Sequence, residues 1–112
     1  MPARDEPTDP AEHPLEARIA QLWALDDATD RQRLLLSLLD ADPDDARLML
    51  EWAAALEAAG HRAESVPAYA AALRGDLPAA QRARAVRQLA ATLEALGRHR
   101  EADDLRSAHV GG

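Results

Sequence analysis

The chain of 112 residues contains no cysteine, which removes disulfides, thiolate zinc sites and cysteine nucleophiles together. It contains no phenylalanine either. Aromatic residues are 3% of the chain and hydrophobic residues 47%, much of it alanine. A core made from such material has to consist of closely spaced helices meeting through Ala and Leu, with Trp23, Trp52 and Tyr69 as the few bulky anchors. No apolar run approaches the roughly 20 residues that a membrane-spanning helix needs. The N-terminus is acidic and proline-rich where a secretion signal would be basic and then apolar. The expected setting is therefore cytoplasmic, with no membrane partner. Lysine is also missing, so all thirteen basic residues are arginine. Any anion site must then use planar guanidinium groups, which suit bidentate recognition of carboxylate or phosphate.

The net charge of −7 is unevenly spread: residues 1–45 hold twelve acids against four Arg, and residues 46–112 hold eight acids against nine Arg. An acidic whole argues against sequence-independent binding of nucleic acid, which depends on neutralising phosphates. No Gly-rich phosphate loop, no Ser-centred elbow and no His-Glu-x-x-His pattern occurs. His61 with Glu64 and His99 with Asp103 have helical spacing, but each pair follows a glycine, where polar turn residues are expected anyway. The sequence thus predicts no catalytic residue, no metal and no cofactor.

Punctuation divides the chain into helices. Residues 1–13 set Pro2, Pro7 and Pro10 among acids, with almost nothing to bury, and read as a disordered tail. A first helix is predicted from Pro14 to about Leu25, carrying Leu15, Ile19, Leu22 and Trp23. Thr29-Asp30-Arg31-Gln32 reads as a capping box for a second helix to Ala41. Its Leu34, Leu35, Leu36, Leu38 and Leu39 spread over more than half the circumference, so cover on two sides is expected. Asp42-Pro43-Asp44-Asp45 opens a third helix, with Met49, Trp52, Ala53 and Leu56 as its seam and Gly60 as a left-handed stop. The fourth runs from Arg62 to Arg74 with Val66, Tyr69, Ala70, Ala72 and Leu73. Pro67 within it removes a hydrogen bond, and Ser65 is an alternative cap that would bring Pro67 into the first turn. Gly75 ends that helix, and Asp76-Leu77-Pro78 opens a fifth with Val86, Leu89, Ala90, Leu93 and Leu96 inward, stopped by Gly97. The sixth, His99 to Ala108, has only Ala102, Leu105 and Ala108 on one face.

Residues 57–64 and 94–102 share one design, a helix end, a Gly and a polar restart, and their glycines lie 37 apart. Counting 34 residues from Pro43 reaches Leu77, one short of Pro78. Helix pairs of this length resemble tetratricopeptide repeats, whose period is about 34. Where that family places Trp, Leu, Gly and Tyr in the first helix, this chain has Met49, Trp52, Ala53 and Leu56, then Val86, Leu89, Ala90 and Leu93. Where it places Ala and Phe in the second, the chain has Ser65 and Tyr69, then Ala102 and Arg106. Leu15, Arg18, Ile19 and Leu22, then Arg31, Leu35 and Pro43, make a degenerate first repeat.

The resemblance implies an all-α domain over residues 14–110, a right-handed superhelix of about three antiparallel helix pairs. It also implies a non-catalytic module that binds a peptide or protein segment in a concave groove lined by the first helix of each pair. The lining stripes are then Arg47, Leu50, Ala54, Glu57 and Ala58 in helix three, Arg84, Arg87, Ala91, Glu94 and Ala95 in helix five, and His13, Glu16, Ala20, Trp23 and Ala24 in helix one. Arg47, Arg84 and Arg87 are expected to converge on an acidic peptide or a C-terminal carboxylate, with Leu50 and Trp23 offering apolar contact. The acidic tail is an internal candidate for the same place. Members that clamp chaperone C-termini carry Lys and Asn where this chain has Glu16, Ala20, Glu51 and Gln88, so no such clamp is expected. The alternative role is a self-assembling subunit, a homodimer joined through the terminal helices, because helix six leaves an apolar flank.

Overall fold

A computed structural model describes residues 14–109, and every regular element among them is a helix. The order is α1 (Pro14–Trp23), α2 (Ala28–Ala41), α3 (Ala46–Ala58), α4 (Arg62–Arg74), α5 (Ala79–Ala95) and α6 (His99–Ala108). The acidic segment 1–13 and residues 110–112 lie outside the described residues, and with them the expected tail and His13.

Local chemistry sets the boundaries. The Asp27 carboxylate accepts from the Thr29 N–H at 2.7 Å and the Asp30 N–H at 3.4 Å, so α2 begins two residues before the position that the capping-box reading gave. Asp caps at least as well as Thr and adds a negative charge at the positive end of the helix dipole. Asp45 caps α3 in the same way, accepting from Leu48 N–H at 2.9 Å, and Pro43 lies before the cap. Ser65 does not cap α4. Its side chain is buried and its hydroxyl donates to the Arg62 carbonyl at 2.7 Å, which leaves Pro67 inside the helix.

The two later pairs turn alike. Gly60 and Gly97 have φ of 91° and 79°, which other residues adopt only with strain. In each turn the next residue donates back, His61 N–H to the Leu56 carbonyl and Arg98 N–H to the Leu93 carbonyl, both at 2.8 Å. Gly75 is a glycine for another reason. Its backbone is extended, and a Cβ there would stand 2.6 Å from the Ala46 Cβ, where α4 ends against the start of α3. Gly75→Ala is therefore expected to lower stability by about 1–3 kcal/mol through overpacking, read as a lower urea midpoint. Arg82 secures the same corner: its guanidinium donates to the Leu73 and Gly75 carbonyls at 2.9 and 2.8 Å, a positive charge at the negative end of α4.

Successive helices pack on one another as stacked hairpins, most extensively α3 on α4 and most lightly α1 on α2. Tyr69, Leu50, Ala53, Ala72, Ala85, Leu89, Ala90, Leu93 and Ala102 form the main core of α3 to α6. Ala53 and Ala90, where the sequence predicts close approach of two helices, are both fully buried. A smaller core joins Leu22 and Leu35 to Leu48 and Ala55 on the other side of α3, with Trp52 touching both. The expected two-sided cover of α2 is not found: Leu34 and Leu36 are exposed, because α2 is the outer helix of the first pair and packs on α3 along one side.

Candidate binding groove

The first helices of the three pairs, α1, α3 and α5, meet around a cavity of about 540 Å³ open to solvent. Ile19 and Trp23 line it from α1, Arg47, Glu51, Ala54, Glu57 and Ala58 from α3, and Arg84 and Gln88 from α5. One carboxylate ties the three helices together. Glu51 is only 1% exposed. Its Oε1 accepts from the Trp23 indole N–H at 2.6 Å, and its Oε2 accepts from Arg47 and, at 3.0 Å, from Arg84. Burial alone would raise the Glu51 carboxyl, but the bonds from Arg47 and Trp23 and the charges of both Arg outweigh it and hold the group below the usual carboxylate range. Arg47 also grips Glu16 of α1 with Nε and a second terminal nitrogen at 2.9 and 3.1 Å. Burial pulls its guanidinium down, and the bonds to Glu16 and Glu51 more than offset this. Arg31 stacks over the Trp23 ring at 4.6 Å and donates to the Leu25 carbonyl at 2.8 Å, which fixes the indole from outside.

A second carboxylate stands further along α3. Glu57 accepts from the Tyr69 hydroxyl at 2.6 Å and from the Thr92 hydroxyl at 2.7 Å. Burial first, and the neighbouring Glu57 carboxylate next, push the Tyr69 hydroxyl above its ordinary range. Arg84, Gln88 and Thr92 are spaced four apart on α5. Arg84 answers Glu51 and Thr92 answers Glu57, whereas Gln88, between them, has a buried side-chain oxygen with no hydrogen-bond partner.

Of the residues that sequence placed in the groove, Trp23, Arg47, Ala54, Glu57, Ala58 and Arg84 come together here. Leu50, Arg87 and Ala91 do not. Leu50 is fully buried in the main core, because α3 is the central helix and its flank is covered by α4. Arg87 lines a different, apolar notch with Ala79, Ala83, Val86 and His109, and Ala91 is exposed two turns beyond Arg84. The three arginines therefore do not converge on an anion, since Arg87 lies elsewhere and the other two already hold carboxylates. Glu51 and Gln88 entered the sequence reading only as departures from the chaperone-clamp pattern. The signal that marks each of them is its place four residues after an arginine, Arg47 or Arg84.

A family model described as a Tetratrico peptide repeat matches residues 46–111, more than half of the chain. The chain belongs to the tetratricopeptide repeat family. No curated protein and no solved structure matches it. Tetratricopeptide repeats typically mediate protein–protein interaction and are typically non-catalytic. The matched span covers α3 to α6, the two pairs with equivalent glycine turns. Among the described residues no helix is long and apolar enough to cross a membrane, and no group of three or more His, Asp or Glu is arranged to hold a metal ion. His61 and Glu64 form an exposed pair at 2.9 Å.

Proposed function

We propose that this tetratricopeptide repeat is a cytoplasmic binding module that takes a peptide or protein segment of another protein along the α1–α3–α5 cavity and performs no chemistry on it. The observation that carries this reading is the bonding at Glu51, which holds three helices as one preorganised surface with the Trp23 ring at its wall. Preorganisation lowers the ordering cost of binding, and a half-exposed indole is the kind of anchor that recognition sites favour. The floor is made of Ala54 and Ala58, small enough to admit a chain. Ala54→Trp should block it. The expected result is at least a tenfold loss of affinity, by fluorescence anisotropy, for peptides selected on the unmodified protein, with helix content retained. Undiminished affinity would move binding to another surface.

A homodimer through the terminal helices is the second reading, favoured by the apolar notch of about 240 Å³ where His109, at the end of α6, meets Ala79, Ala83 and Val86 of α5. Sedimentation across a dilution series separates the two: a monomer at all concentrations supports the groove, and a dimer that persists on dilution supports assembly.

A further inference from the structure

Resting on that groove reading, we infer that the cavity takes a basic side chain, a Lys or Arg of the partner segment, against Glu57. The sign is opposite to the one that counting arginines suggests. Arg47 has both of its terminal nitrogens and its Nε committed to Glu16 and Glu51, and Arg84 donates to Glu51 as well. Those two positive charges are matched by two carboxylates. Glu57 is different. Its oxygens are positioned by two neutral hydroxyls, and no Arg or His among the described residues lies within ion-pair distance of it. Hydroxyl donors orient a carboxylate without cancelling its charge, and each oxygen retains a lone pair for a further donor.

Gln88, one turn from Thr92, lines the same cavity and brings no positive charge that would compete for Glu57. An ammonium or guanidinium brings three to five donors and no acceptor, which suits the lone pairs that Glu57 keeps free. A carboxylate at the same place would set acceptor against acceptor and charge against like charge. The long apolar stem of Lys or Arg fits what remains: Ala54 and Ala58 leave room along the floor, and Ile19 and Trp23 form an apolar wall. The overall charge of −7 favours the approach of a cation. The acidic segment 1–13 is, by the same chemistry, an unsuitable occupant.

The test is a phage-displayed library of random peptides of about twelve residues, selected on the full chain, followed by fluorescence anisotropy with the synthetic winners. Winners should share a Lys or Arg beside small or apolar residues. Acetylating that Lys, or replacing that Arg with citrulline, should weaken binding tenfold or more, and this comparison leaves the protein unaltered. Glu57→Gln should produce a similar loss and a shallower dependence on NaCl. Acidic winners, or winners indifferent to removal of their positive charge, would overturn the inference. If Ala54→Trp abolishes binding of such indifferent peptides, the groove stands and only the basic side chain is refuted. If Ala54→Trp changes nothing, or no peptide is enriched, the groove reading falls with it.

Discussion

Glu51→Ala is expected to lower the unfolding free energy by about 3 kcal/mol, the low end for removing one partner of a buried ion pair because Glu16 still accompanies Arg47. The substitution leaves the indole N–H of Trp23 without its acceptor and brings Arg47 and Arg84 together with no shared carboxylate between them. Urea unfolding would give the stability change, and red-shifted tryptophan emission would report that Trp23 had left its place. Glu51→Gln keeps an acceptor for the indole and should lose less. The pH dependence has a definite sign. The Glu51 carboxyl titrates lower in the folded chain than in the unfolded one, so the unfolded state binds the proton more readily. Its contribution is complete above the unfolded value of about 4.3 and disappears as pH falls from there through the depressed folded value. Urea midpoints measured from pH 7 down to pH 3 should fall less steeply for Glu51→Ala than for the unmodified chain.

Tyr69→Ala is expected to cost about 3–5 kcal/mol, the range for truncating a buried aromatic ring. Tyr69 is fully buried and is the largest such side chain, in a core otherwise made of Ala and Leu. Small neighbours on short helices cannot collapse far into the space that a missing ring leaves, so the loss should lie toward the upper end. Tyr69→Phe separates the packing from the hydrogen bond. It removes the donor to Glu57 at 2.6 Å and keeps the ring, for an expected loss of about 1–2 kcal/mol. Because Thr92 donates to the same carboxylate, Tyr69→Phe and Thr92→Val should be non-additive in a double-mutant cycle.

The helices and their turns were legible because their causes are local. Glycines 60 and 97 stand where a left-handed residue is required, and Ala53 and Ala90 stand where two helices touch, so spacing alone located both repeats. The start of α2 was less legible because Asp27 and Thr29 both suit a cap, and only the bonds made show which one serves. The groove was partly legible. Periodicity assigns a glutamate to solvent, and the place of Glu51 four residues after Arg47 announces an ion pair within α3 but not its burial. Its partners Trp23 and Arg84 lie 28 and 33 residues away, and they bury it by donating to it. Leu50 failed as a lining residue for a related reason. A stripe drawn on one helix does not say how many neighbours that helix has, and α3 has neighbours on both flanks.

One wall of the cavity stands on the least anchored helix. Ile19 and Trp23 belong to α1, whose core with Leu35, Leu48 and Ala55 is distinct from the one that holds α3 to α6. Repeat arrays unfold unit by unit when the interface between units is weak. On warming, recognition should therefore vanish while most of the helical signal survives. A captured segment that spans from α1 to α5 would act as a brace between the two bodies, merging two melting steps into one.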